Sequence, residues 1–397
     1  MANTIKTLTD GDITREALRI LKNANSIIKS VNRQYDDRFA REGAKNGGTL
    51  QIRLPNRYTV GTGRTITPQD TTEQTTALVV GTQKHVPVQF YSSELTLSLD
   101  DFSSRILKPA MSVLASTVAA DVATACASAF TNYVGTPGST PTSFLTYAQA
   151  GERLDWQTAP RDGNRSMILN PTAMAATADA QKGLFAPAGT IGDQYESGML
   201  DKMTGWSFDM DQSLPTITHG AGASYQTNTP TFTSGSSTIA VDTGTGALSA
   251  GQQFTIAGVN EVNPDTKAST GQPKVFTVAS AYAGGNGNIT ISQPIYTSGA
   301  YQNVSATIPD NTALTLIGSA STSYVRNLGF HRDSVVLATA DLEMPKGVDM
   351  ANRQSIDGLS LRFVRFYDGT NDNFIGRFDV LYGIKVVRPE WGVTVYG

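Results

Sequence analysis

Residues 49–91 read TLQIRLPNRYTVGTGRTITPQDTTEQTTALVVGTQKHVPVQFY. Leu50, Ile52 and Leu54 alternate with Gln51 and Arg53, the period of a half-buried strand. A polar, Thr-rich stretch follows, from Val60-Gly-Thr-Gly63 on to Thr76. Residues 77–80 and 86–91 are apolar again and bring the chain back. Long strands around so polar a tip predict a projecting loop. It is too polar to bury by itself and costly to order unless something packs on it. The reading of the whole chain turns on that incompleteness.

Upstream, Ile13, Ala17, Ile20, Leu21, Ala24, Ile27, Ile28, Val31 and Tyr35 recur at helical steps. Thr9, Asp10 and Asp12 supply N-cap chemistry. One helix is expected here, with no adjacent helical partner in sequence. Its apolar face must dock on a distant part of the chain or on another chain, and sister molecules are the expected surface. Ile13, Ile20 and Ile27 mark that face.

Downstream, residues 100–134 predict one long helix. Asp100, Asp101 and Ser103 suit its start, and Phe102, Ile106, Ala110, Val113, Leu114, Val118 and Val122 keep the period. Pro109 should begin or kink its main part. Residues 143–225 look mixed: a helix over 147–156, a strand over 166–169, and a helix opened by Asn170-Pro171. The composition then shifts. Residues 222–309 hold five charged side chains, Asp242, Glu261, Asp265, Lys267 and Lys274. Short strands at 238–241, 253–256, 274–278 and 288–291, split by Gly, Asn and Pro turns, predict an inserted β-barrel or sandwich. Strands at 335–338, 359–367, 374–382 and 385–387 close the chain, with Asp368-Gly-Thr-Asn-Asp372 as a hairpin turn.

A length of 397 residues fits roughly two or three domains. Charged residues are 16%, against about 25% in average soluble proteins, which suits strands, loops and buried polar interfaces. No run of about eighteen apolar residues predicts a membrane span, and the N-terminus lacks a signal-peptide core. Cys126 is the single cysteine, so no internal disulfide forms. Net charge is -3, which excludes a generic polybasic nucleic-acid binder. The charge is unevenly spread: residues 1–66 carry twelve Lys/Arg and six Asp/Glu, residues 170–260 two and seven. Such opposite signs can attract copies of one chain head to tail, against the plainer reading of a solvated surface.

No catalytic constellation is visible. His85, His219 and His331 stand apart, without metal-ligand spacing. The glycine-rich pieces at 61–63, 244–246 and 284–287 lack the Walker lysine and the dinucleotide pattern, and read as loop glycines. Asp209 and Asp211 would share a strand face, more simply as a solvated edge than as a metal pair. Cys126 reads as a small core residue and His331 as a structural histidine. No metal, cofactor or enzymatic activity is expected. Catalytic groups converging from distant positions would leave the same blank, so a hydrolase built around one histidine is the outlying alternative.

Two C-terminal stretches carry a family resemblance. Asn327-Leu-Gly-Phe-His-Arg-Asp-Ser-Val-Val-Leu-Ala338 with Leu342-Glu-Met-Pro-Lys-Gly347, and Asp379-Val-Leu-Tyr-Gly-Ile-Lys-Val-Val-Arg-Pro-Glu390, resemble segments of tailed double-stranded DNA phage major capsid proteins. Phe254-Thr-Ile-Ala-Gly-Val259 resembles part of the β-domain inserted in coat proteins of Salmonella-type short-tailed phages. The resemblance implies an α+β tailed-phage/herpesvirus capsid fold. Residues 1–42 would be the N-terminal arm and 43–98 the extended loop with flanking strands. Residues 99–157 would be the peripheral domain with its spine helix, and 158–221 the first part of the axial domain. Residues 222–312 would be the inserted β-domain, and 313–397 the axial return and peripheral β-region.

The implied function is a self-assembling icosahedral shell around a phage DNA genome, with a glycan-binding β-rich adhesin as the alternative. The implied partners are other copies in hexamers and pentamers, a scaffolding protein, a portal protein at one vertex and a decoration protein. Packaged DNA would be met by weak nonspecific contact, and no membrane is involved. Synthesis in the host bacterial cytoplasm and residence in the virion capsid follow. Arg53, Arg57 and Arg64 on the loop are expected to meet acidic groups of a neighbour.

Overall fold

The computed structural model describes residues 10–23, 25–33, 49–64, 68–69, 73–91, 107–181, 200, 202–356 and 358–397. Helices α1 (Asp10–Asn23) and α2 (Ser26–Ser30) open it, followed by strands β1 (Thr49–Arg53), β2 (Thr75–Val79) and β3 (Thr82–Tyr91). Helix α3 (Lys108–Ala129), β4 (Asn132–Val134), α4 (Phe144–Trp156), β5 (Arg165–Leu169) and α5 (Pro171–Gln181) come next. Then strands dominate: β6 (Lys202–Met203), β7 (Trp206–Met210), β8 (Thr216–Thr218), β9 (Gln226–Thr227), β10 (Ser236–Asp242), β11 (Gln253–Val262), β12 (Ser269–Thr277), β13 (Gly287–Ile295) and β14 (Leu314–Leu316). The chain closes with β15 (Ser323–His331), β16 (Val335–Ala340), β17 (Met350–Ile356), β18 (Leu359–Asp368), β19 (Asn373–Val386) and β20 (Gly392–Tyr396). The class is α+β, as expected. The chain divides into two compact units.

The first unit comprises Met1–Ile52, Thr76–Val122 and Val335–Lys385. Its sheet runs β16-β19-β18-β17, with β3 also paired to β19. The continuous strand β19 replaces the two strands expected over 374–387. The hairpin turn expected at 368–372 is present, with Asp368 opposite Asn373. Phe363 and Phe378 stack at 4.5 Å in the sheet's interior. Leu78 of β2 is buried, and β2 runs so close to β19 that a Cβ on Gly383 would sit 2.2 Å from the Val79 carbonyl oxygen.

The N-terminal helix departs from expectation in two ways. It is not continuous: Asn25 is extended, and its Oδ1 accepts from the Ile27 amide at 2.8 Å to start α2 afresh. Local capping by Asn outcompetes helix propagation there. Its apolar face is also covered by its own chain. Helix α1 packs on β17 and β18, and Ala17, Leu18 and Leu21 are buried. Asn32 then bridges Val336, with its amide on the Val335 carbonyl and its carbonyl on the Leu337 amide, each at 3.0 Å. Sister molecules are not needed to bury this face, because apolar faces of distant sequence meet through the sheet.

The expected helix over 100–134 begins, among described residues, as α3 at Lys108, with Pro109 in the tolerated first turn. It ends at Ala129. Residues 132–134 are instead strand β4, drawn into parallel pairing with β20. Residues 92–106, including the expected caps Asp100, Asp101 and Ser103, lie outside the described residues. By length and composition alone α3 is long and apolar enough to cross a membrane, with a window of mean hydropathy 1.5, and half of that window is buried in the protein.

The second unit comprises Arg53–Thr75, Ala123–Ser334 and Val386–Gly397. Its main sheet runs β4-β20-β15-β5-β7-β6, with β8 on β15. Tyr147, Leu154, Met167, Trp206, Phe208 and Val393 pack in one core on it. A β module follows the composition shift. Two three-stranded sheets, β13-β10-β9 and β12-β11-β14, enclose a core of Tyr225, Ile239, Phe254, Ile256, Phe276 and Ile289 among others.

Gly358 gives a test of the arm's docking. Its φ is +75°, and a Cβ there would lie 2.0 Å from the Arg33 carbonyl oxygen. Gly358→Ala should lower stability by about 1–3 kcal/mol and speed proteolysis of residues 25–33. Unchanged melting and cleavage would show that the arm does not sit there.

Candidate functional site

In the first unit, the register of the sheet sets Asp379 opposite Arg362 on β18 and opposite His85 on β3. Asp379 is fully buried. It accepts from Arg362 Nη2 at 2.7 Å, Arg377 Nε at 2.6 Å and Gln83 Nε2 at 3.1 Å. Burial pushes this carboxyl up, but the arginine and glutamine hydrogen bonds outweigh it and hold it below the ordinary range. The cluster ties β3, β18 and β19 together. Nearby, the Tyr382 hydroxyl donates to Asp121 on α3, and Lys84 Nζ lies 3.4 Å from the same carboxylate. Burial and then the Asp121 contact push the tyrosine up.

The second unit holds a longer chain of polar groups. Glu390 stands in a single 3₁₀ turn, Pro389–Trp391, and is 7% exposed. Its Oε1 accepts from Arg57 Nη2 at 3.2 Å and its Oε2 from Gln293 Nε2 at 3.2 Å. Gln293 Oε1 accepts from Lys274 Nζ at 3.3 Å, and Lys274 pairs with buried Glu261 at 3.5 Å. A cavity of ≈ 10 Å³ adjoins it, lined by Thr131, Lys274, Phe276, Ser292, Gln293 and Asn303. That volume holds about one water.

A third cluster surrounds Arg326, fully buried on β15. Its guanidinium lies 3.9 Å from the Tyr396 ring centroid, and Nη2 is 2.9 Å from His219 Nε2. Burial pushes the His219 imidazole down and Arg326 adds to it, to about 4. A neutral His219 offers Nε2 as acceptor to the arginine. His331, also buried, sits edge-on to Trp391 and 3.1 Å from Asp162, a structural role as read from sequence. His85 is exposed. Cys126 is buried, and burial pushes its thiol up, away from nucleophilic use. Among the described residues no group of three or more His, Cys, Asp and Glu is placed to hold a metal.

The loop arginines fall in different settings. Arg53 is exposed, 3.8 Å from Glu73, a contact worth little in water. Arg57 is 32% exposed and engaged with its own Glu390. Arg64 is exposed. Ile27 is fully buried within the chain and offers no surface to a neighbour; Ile20 is half-buried. The side chain of Ile13 lies outside the described residues. Asp379, Glu390 and Arg326 were not singled out from sequence. The available signal was a lone charge inside an apolar run, as in Phe378-Asp379-Val380 and Val325-Arg326-Asn327-Leu328.

The family described as "P22 coat protein - gene protein 5" matches residues 61–397. A major capsid protein of Acyrthosiphon pisum secondary endosymbiont phage 1 is 24% identical over 262 residues, 60% of this chain. The match spans 62% of that relative's own length. A solved structure from Mycobacterium phage Che8 aligns with TM-score 0.48 at 12% identity, covering 93% of this chain and 90% of the other. The capsid structure of Cyanophage P-SCSP1u aligns with TM-score 0.46 at 12% identity, covering 88% and 83%.

His219 makes stability depend on acid. Above its ordinary value of 6.5 the imidazole is neutral folded and unfolded. Between 6.5 and about 4 only the unfolded chain takes the proton, so stability falls as pH falls, then levels off below about 4. The loss is on the order of 3 kcal/mol. Denaturant midpoints at pH 7 and 4.5 should show a smaller drop for His219→Gln than for wild type; equal drops would refute the assignment.

Proposed function

The chain belongs to the P22 coat protein family, and from that membership we propose that it is a major capsid protein, a shell-building subunit with the tailed-phage capsid fold. Membership over residues 61–397 carries this reading. The geometry supports it with a two-stranded ribbon, β1 and β2, whose tip sets apolar side chains in water: Tyr58 is 58% and Val60 96% exposed. Water contact with such side chains is unfavourable, and a neighbouring copy would relieve it.

Contacts of one patch with a different patch on the next copy close into rings, and rings tile a shell. Each contact can be modest, since many act together. In this reading the protein acts as a structural part and not as an enzyme, and its place is the virion. Its partners are its own copies in hexamers and pentamers, with a scaffolding protein, a portal protein and a decoration protein at their stages. Packaged DNA meets a chain of net charge -3, so it is held only weakly. The family match leaves the adhesin reading without support. The domain division of the capsid fold given above belongs to the same proposal.

Of the candidate intersubunit residues, Arg53, Arg64 and Ile20 keep accessible surface for a neighbour. Arg57 is different, because reversing it would set a carboxylate against Glu390 and cost the subunit's own stability.

Negative-stain microscopy of the expressed protein should show polyhedral shells or capsomer rings; a dispersed monomer under all assembly conditions would overturn the reading. Arg64→Glu should reduce shell yield severalfold while leaving the monomer's melting temperature within about 1 °C, as an exposed charge contributes little to folding. Normal yield from that variant would remove Arg64 from the interface.

A further inference from the structure

Glu390 is buried with one donor on each carboxylate oxygen, and only one of the two is charged. The network behind it, Gln293, Lys274 and Glu261, belongs to β13, β12 and β11 of the β module. Counted without Arg57, one cation, Lys274, faces two carboxylates, Glu261 and Glu390. Arg57 balances the set. A buried carboxylate short of a cation is strongly disfavoured, which gives the Arg57 contact its force. Arg57 is also the one member contributed by the loop 53–75.

A second tie sits at the other end of that loop. Gln74 Nε2 donates to the Tyr296 hydroxyl, just past β13, at 3.2 Å. The two ends of the loop are joined by the Leu54 amide on the Gln74 carbonyl at 2.8 Å. One like charge opposes the first tie. Burial, then the field of Arg57, lowers the ammonium of Lys267, which donates to the Ala300 carbonyl.

We propose that Arg57 and Glu390 form a latch within one chain, holding the loop in the free subunit against the C-terminal 3₁₀ turn and, through Gln293, against the β module. Assembly then exchanges Arg57 from Glu390 to a carboxylate of a second copy. The exchange half rests on the shell reading; the latch half does not. The device keeps the loop's cation occupied until a neighbour competes for it, so isolated subunits do not join prematurely.

Hydrogen exchange on the full-length soluble subunit tests the latch. Glu390→Gln and Arg57→Gln should each speed exchange in peptides spanning 54–64 by about tenfold, as expected for loss of a charged hydrogen bond. Peptides from 236–295 should stay protected. Arg57→Lys should restore part of the protection. Tyr296→Phe, which leaves the carboxylate untouched, should loosen 73–75 more than 54–64. No change in 54–64 for either glutamine variant, or equal loosening throughout the β module, overturns the latch.

Assembly kinetics test the exchange. Glu390→Gln frees the arginine and should assemble at lower subunit concentration than wild type; Arg57→Gln should require more. Equal thresholds, or the reverse order, overturn the exchange while leaving the latch to the exchange data. A wild-type chain that forms no shells overturns the shell reading and the exchange together.

Discussion

A carboxylate withdrawn from water has to find donors, and in this protein those donors come from segments far apart in sequence. Asp379 draws on Gln83, Arg362 and Arg377, Glu390 on Arg57 and Gln293. Each site gathers strands that local propensity alone would leave unordered relative to one another. Removing one partner leaves the other charge buried and uncompensated, so such sites hold their geometry firmly even where their net contribution to stability is small.

The same constraint governs the other buried charges. Several of the few charged residues are spent inside, as Lys274 with Glu261 and Arg326 against Tyr396. The β module has a real apolar core of its own and little charge outside. A surface of that kind resists indiscriminate ion pairing and leaves specificity to a few projecting groups. Many weak contacts acting together can still bind strongly.

Helix α1 shows where burial arguments need the fold. Its apolar stripe needed a partner, and the absence of a neighbouring helix in sequence pointed outward to other copies. The partner is instead the pair β17 and β18, more than three hundred residues downstream. The expected single helix also broke at Asn25, where side-chain capping of the next turn wins over backbone continuation.

Periodicity and turn chemistry are local, so the sequence alone determined the strands around the 49–91 loop, the strand at 166–169, the short strands between 238 and 291, the helix opened at Pro171 and the 368–372 turn; the α+β class came with the family resemblance. The two C-terminal stretches also carried the family resemblance. Only the tertiary structure decided that β4 is a strand, that Arg57 faces Glu390, and that Asp379 and Arg326 are buried. Those outcomes depend on which remote backbone offers a free edge or a donor at hydrogen-bond distance. A linear pattern does not encode such proximity, because pairing energy is set by three-dimensional neighbours and not by spacing along the chain.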